Sequence, residues 1–230
     1  MSDQEVDRAL ERLAPTGRAV RPVVLERIAT AIKGSLHPVR PLPGPWLLTV
    51  ALLILGAAVA FAGAARAGLT GLDARRLIVL LLLVVLAGAV ARDLVSRWIP
   101  GSRHYLAPGA LVVLVCAALL LAFGVLFDDY RSERFLSSGI VCLSIGVAHA
   151  IPAAGLAAWL LRRGLALRPA AAGALAGTLG GLSGVAMLEL HCPNLEAPHL
   201  LVWHVAVVPV SAGLGALVGW VLALRARRLD

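Results

Sequence analysis

The side chains best suited to chemistry gather in one stretch, Glu189–His204, which reads ELHCPNLEAPHLLVWH. It holds three of the six histidines in the chain and one of its three cysteines. These are His191, Cys192, His199 and His204. Thiolate and imidazole groups are good ligands for zinc, copper or cadmium. Two cysteines on an oxidising face offer a second chemistry, because they can form a disulfide.

Two further residues can join this stretch from an earlier apolar run. Cys142 is the cysteine best placed to meet Cys192, and His149 lies two helical turns beyond it. Each also has a purely structural interpretation, since cysteine is often buried for packing alone. Cys116, in the middle of another apolar run, is interpreted in that way. The chain has no HExxH, GxSxG or phosphate-binding loop, so we do not expect an enzyme.

The apolar runs that carry these residues predict a membrane protein. Hydrophobic residues make up 60% of the 230-residue chain, whereas soluble domains are nearer 45–50% apolar. The runs are close to the ~20 residues that cross a bilayer as a helix. We therefore predict an all-α integral membrane protein with a six-transmembrane-helix bundle, embedded in a lipid bilayer. The predicted spans are 46–65, 77–96, 105–127, 135–161, 169–190 and 199–223.

The distribution of positive charge predicts the orientation. Sixteen of the 21 Lys and Arg residues fall in the N-terminal tail, the second and fourth loops and the C-terminus, and five fall on the other side. Positive residues favour the cytoplasmic side, so both termini are expected in the cytoplasm of a multi-pass inner-membrane protein. Because this bias accounts for the net charge of +8, we do not expect direct binding to nucleic acid. This topology puts Cys142, Cys192, His199 and His204 in the outer half of the bundle.

The chain divides into a tail at 1–44, the bundle at 45–224 and a basic C-terminus at 225–230. Two short amphipathic helices are predicted in the tail. Their apolar faces are interpreted either as membrane-surface contacts or as docking sites for a soluble partner. The residues proposed to bind that partner are Val6, Leu10, Leu13, Val24 and Ile28. In the fifth span, Gly173, Gly177 and Gly181 predict close helix packing, either within the chain or in a homodimer.

Several motifs together resemble those of the NrsF-type membrane anti-sigma factors. The chain has a short polar tail, a proline-rich entry PVRPLPGPW at Pro38–Trp46, and six spans. It also has a cysteine early in span four and a glycine-rich span five that ends in LHCP, at Leu190–Pro193. A WH pair, Trp203-His204, follows in span six. The resemblance covers nearly the whole chain.

The resemblance implies a regulator of transcription. Its tail would hold an extracytoplasmic-function sigma factor at the membrane, and a stress signal in the outer half of the bundle would release it. The two cysteines of the family map onto Cys142 and Cys192, which would sense that signal. The soluble HxxxCxxC zinc motif of other anti-sigma factors is absent from this sequence.

Two questions remain open at the level of sequence. The surplus histidines (His149, His191, His199 and His204) have no role in the family pattern, so a metal signal, or a small metal-binding or metal-transporting membrane protein, is the alternative. The path from sensor to tail is also unassigned. Spans four and five enter the same cytoplasmic loop, and we expect Arg162 and Arg163 there to act as a relay.

Overall fold

A computed structural model describes residues 43–99, 106–132, 135–161 and 168–226, with Ser102 and a few positions between 23 and 31. The chain separates into two compact units, Met1–Pro41 and Leu42–Asp230. In the first unit, the Thr30 hydroxyl donates a hydrogen bond to the Glu26 carbonyl, one helical turn earlier. Seven residues given roles above lie outside the described residues: Val6, Leu10, Leu13, Val24, Ile28, Arg162 and Arg163.

The described residues of the second unit form six long helices. They are α1 (Pro45–Ala67), α2 (Ala74–Trp98), α3 (Pro108–Leu126), α4 (Phe135–Leu161), α5 (Pro169–His191) and α6. The last, α6, is continuous but has three parts: Ala197–His199, a π-helical turn at Leu200–His204, and Val205–Ala226. All six are long and apolar enough to cross a membrane, and no strand occurs among the described residues. The predicted all-α, six-helix membrane fold is confirmed.

Prolines mark the beginnings of three of these helices. Pro45, Pro108 and Pro169 stand at the first helical position of α1, α3 and α5. Proline suits that position because its fixed φ is helical and its missing N–H would have no helical partner. The third helix begins at Pro108, so the span predicted from residue 105 starts slightly later than its apolar run.

Helix α5 is the centre of the bundle. In its most apolar stretch 72% of the residues are buried inside the protein, against 22–33% for the other helices. It packs mainly on α6, α4, α2 and α1. The outward faces of the surrounding helices carry exposed large apolar side chains such as Ile54, Leu121 and Val125. An apolar exterior, with small residues where the helices approach most closely, is the arrangement expected in lipid.

Glycines give α5 this central place. A Cβ atom on any of five of them would collide with the neighbouring backbone or lie against it. Gly173, Gly177 and Gly181 face α6 at Gly215, Ser211 and Val208, whereas Gly180 and Gly184 face α4 at Ala150 and Gly146. Because glycine has no side chain, the helices approach closely at these positions and gain dispersion contacts that lipid cannot replace. The predicted close packing is therefore confirmed, and these glycines make it within the chain.

Candidate functional site

Cys192, at the end of α5, lies where α4, α5 and α6 meet. Cys192 directly follows α5, and its N–H still donates to the Leu188 carbonyl at 2.7 Å. A short turn then leads into α6, with the Ala197 N–H donating to the Asp129 carbonyl at 2.7 Å. Cys192 is only 4% exposed. The side chain therefore points into the bundle, although it lies at the end of an apolar span.

The second cysteine comes from α4. Cys142 lies two turns into that helix, is half-buried, and places its sulfur 3.6 Å from the sulfur of Cys192. Both are free thiols. The topology of α4 and α5 thus brings together two cysteines that are fifty residues apart in the sequence.

Two histidines complete the cluster because α6 contains a π turn. The Nε2 atom of His199 lies 3.7 Å from the sulfur of Cys192. In a regular α-helix, residues five apart point in directions about 140° apart. The π-helical turn at Leu200–His204 bonds each residue to one five positions earlier, so His199 and His204 point to the same side. Their rings meet edge to face with centroids 5.3 Å apart.

A carboxylate holds the second of these histidines. His204 Nδ1 lies 2.8 Å from the Glu189 Oε1 atom, and the two side chains are 1% and 0% exposed. Three nitrogen or oxygen atoms at this place are buried without a hydrogen-bond partner among the described residues: His204 Nε2, His199 Nδ1 and Glu189 Oε2. Such atoms are costly when they remain unpaired, so the cluster has unused binding capacity.

An arginine fixes the backbone around the cluster from α2. Arg76 is 3% exposed and donates hydrogen bonds to the carbonyls of Glu189 (3.1 Å) and Cys192 (2.8 Å), and to the Thr70 hydroxyl. The Thr70 N–H in turn donates to the Leu190 carbonyl at 2.9 Å. The last turn of α5 is therefore tied to the α1–α2 connection. Sequence reasoning counted Arg76 only as a loop charge and missed this role.

The structure does not bring the other two histidines into the cluster. His149 bonds through Nδ1 to the Ile145 carbonyl of its own helix at 2.9 Å, and its ring fills the space beside Gly63. His191 bonds through Nδ1 to the Gly68 carbonyl at 2.8 Å. Cys116, in α3, packs against the hydrophobic core. The cluster therefore contains four of the residues with proposed chemistry: Cys142, Cys192, His199 and His204.

The surroundings of Cys192 favour its neutral form. The contact with the Cys142 thiol and burial both raise the pKa of the Cys192 thiol above its ordinary value, while the nearby histidines oppose this rise. A neutral thiol in an apolar site reacts slowly. Metal coordination or oxidation to a disulfide would remove the proton from this thiol.

Comparison with known proteins identifies a family. A family model described as "Negative regulator of sigma F" (NrsF) matches residues 34–225. No curated protein matches the chain, and no solved structure does. The matched range includes every residue of the cluster, the whole of α1 to α5, and α6 as far as Arg225.

Proposed function

We propose, from the premise that this chain belongs to the NrsF family of negative regulators of sigma F, that it holds an extracytoplasmic-function sigma factor at the bacterial inner membrane. A stress signal received at Cys142 and Cys192 releases that sigma factor. The observation that carries the sensing role is the approach of the two sulfurs, on different helices, to 3.6 Å. A chemical change at both sulfurs alters how α4 is joined to α5.

Two chemistries suit a pair of thiols at this distance. Oxidation breaks two S–H bonds and forms one S–S bond, and both electrons and both protons pass to a two-electron oxidant. Metal coordination replaces the two protons with one cation and involves no electron transfer. Either change links the two helices through the cluster, so both agree with a sensor at this end of the bundle.

The sequestering part of the proposal rests on the tail. The family match begins at residue 34, so residues 1–33 precede the shared region, as expected of a segment adapted to its own partner. The predicted stripe of Val6, Leu10 and Leu13, which lie outside the described residues, would give that segment an apolar face for a helical sigma factor. With both termini in the cytoplasm, the tail and the sigma factor share a compartment. Fusions of alkaline phosphatase or a fluorescent protein to each terminus test this orientation.

Co-purification tests the binding partner. The full-length chain and the sigma factor encoded nearest to it are co-expressed, and the membrane protein is purified in detergent. We expect the sigma factor to be retained, and to be lost when Leu10 and Leu13 are both changed to Asp. The control, Gln4→Asp with Thr16→Asp, adds the same charge away from the stripe and should retain it. Loss in both variants, or retention in both, contradicts docking on this face.

Sigma-dependent transcription in cells tests the sensor. Cys142→Ser and Cys192→Ser should each abolish induction by the stress while leaving repression intact, because the signal needs both sulfurs. Cys116→Ser is the matched control and should induce normally. Normal induction in both cysteine variants would contradict the sensing role of the pair.

Charge reversal of Arg162 and Arg163 tests the proposed relay and should change the level of repression.

A further inference from the structure

The cluster offers more than two sulfurs. Cys142, Cys192, His199 and His204 each present one ligand atom, and these four atoms all lie within 4.8 Å of one another. We propose that these residues form a four-coordinate site for a divalent, thiophilic cation of the zinc group. The coordination of the cation is a property of these side chains, whereas its role as the signal rests on the function proposed above.

The distances agree with a tetrahedral ion. Bonds of ~2.3 Å to sulfur and ~2.0 Å to nitrogen, at tetrahedral angles, separate neighbouring ligand atoms by about 3.3–3.8 Å. The two sulfurs are 3.6 Å apart, and the sulfur of Cys192 is 3.7 Å from His199 Nε2. Since no pair of ligand atoms exceeds 4.8 Å, side-chain shifts of about 1 Å complete the coordination shell.

Glu189 prepares His204 to act as a ligand. The carboxylate accepts a hydrogen bond from Nδ1–H of His204 at 2.8 Å, so in the neutral imidazole the lone pair is on Nε2. Metal-binding histidines commonly donate their other N–H to a carboxylate in this way. The Nε2 atom is buried and has no hydrogen-bond partner within the described part of the chain. A bound cation gives this nitrogen the partner that it lacks.

Charge balance favours a divalent ion. When the cation binds, two thiol protons leave to solvent and two thiolates remain, so the charges of the cation and the sulfurs cancel. The negative charge of Glu189 is offset by Arg76, which bonds to the carbonyls of Glu189 and Cys192. A site with no net charge is the form least costly to bury. A monovalent copper ion on the same two thiolates would leave one negative charge uncompensated.

The test is a metal titration of the full-length protein. It is purified in detergent, reduced and freed of metal with a chelator, and Co²⁺ is added without oxygen as a spectroscopic probe. We expect one Co²⁺ per chain, with the intense visible bands of a tetrahedral ion and a thiolate charge-transfer band, both removed by Zn²⁺. Absence of stoichiometric binding, or a spectrum typical of six oxygen ligands, would overturn the proposal.

Variants separate ligands from neighbours. Cys142→Ser and Cys192→Ser should each weaken the charge-transfer band, and His199→Gln and His204→Gln should each lower the affinity at least tenfold. His191→Gln is the matched control, because His191 adjoins Cys192 but bonds to the Gly68 carbonyl, and it should bind normally. Size-exclusion elution identifies any variant that has lost its fold. An equal loss of affinity in the His191 and His199 variants, both folded, contradicts the assignment.

The same preparation distinguishes the site from its role. Addition of Zn²⁺ to the complex with the sigma factor should release the sigma factor if the cation is the signal. Binding without release upholds the site and removes the cation as the signal. Formation of a disulfide by an added oxidant, together with absence of metal binding, overturns the metal site but leaves the sensing function of the two cysteines in place.

Discussion

The two halves of α5 are held in the bundle by different forces. From Gly173 to Gly184 the helix is fixed by close backbone approach to α4 and α6. From Glu189 to Cys192 it is fixed by hydrogen bonds, with Arg76 and Thr70 on the backbone and His204 on the Glu189 side chain. The glycine half adds a hydrogen bond from the Ser183 hydroxyl to the Gly56 carbonyl of α1 at 2.8 Å, whereas the other half carries the buried Glu189 carboxylate and the Cys192 thiol of the cluster.

This division suits a receiver of chemical signals. Close packing of backbones gives way only at a high cost in free energy, because a packed interface has no intermediate positions. Hydrogen bonds and thiols can exchange partners one at a time. In the function proposed above, a change at the polar end would shift the last turn of α5 against α2, α4 and α6, and the glycine half would carry the movement as a rigid unit toward the opposite end.

The strongest way to break the comparison is to add a side chain to the glycine half. Gly177→Val places atoms where the Ser211 carbonyl of α6 lies. We expect a loss of about 3 kcal/mol of stability, as for severe overpacking, measured by thermal unfolding in detergent. Gly213→Val is the matched control, since a Cβ at Gly213 meets nothing within 4 Å. Equal loss in the two variants would indicate an effect of valine on the helix, independent of packing.

The second prediction concerns the polar half. Arg76→Met keeps an apolar stem of similar length but leaves the carbonyls of Glu189 and Cys192 without their donor, which should cost about 2 kcal/mol. Its neighbour Arg75 supplies the control, because it pairs with Asp128 on the surface, where the side chains are 51% and 84% exposed. Arg75→Met should change unfolding little. Equal effects would mean that Arg76 stabilises only through its charge.

The fold could be predicted almost entirely from sequence. Six apolar runs of membrane-spanning length leave few alternatives to six helices, and the spacing of Gly173, Gly177 and Gly181 predicted a closely packed face. The partner of that face was not predictable, because a small-residue stripe packs equally well on a helix of the same chain or of a second copy. The structure shows that this face packs on α6 and α4 of the same chain.

The site was predictable in its residue types but not in its membership. Depth in the bilayer suggested that Cys142 and His204 lie at one level, yet depth gives no rotation about the helix axis. The π turn at Leu200–His204 sets that rotation, and nothing in the local sequence specifies a π turn. His149 and His191 bond to backbone carbonyls instead, which composition cannot distinguish from a ligand role. The contact of Glu189 with His204 was missed because it too depends on the rotation of α6 about its axis.

The third prediction sharpens the comparison by changing chemistry in the polar half with little change in shape. Glu189→Gln has nearly the same volume, but its amide can accept from or donate to His204 Nδ1, so the tautomer of His204 is no longer fixed. We expect a loss of about 1 kcal/mol of stability together with a tenfold or greater loss of Co²⁺ affinity. Unchanged affinity would show that the carboxylate does not prepare the ligand.

The smallest loss of stability is expected from a change in the packing beside the cluster, at the polar end of the bundle. Gly139 in α4 leaves space for the indole ring of Trp203, the residue before His204 in the π turn. Gly139→Ala forces that ring to move, at a cost of about 0.5 kcal/mol if the half-buried side chain turns outward. Metal affinity should then fall less than threefold, because Glu189 still holds His204. A loss as large as that of Cys192→Ser would mean that the Trp203 contact, more than hydrogen bonding, sets the direction of His204, and the two halves of α5 would then differ less than their contacts indicate.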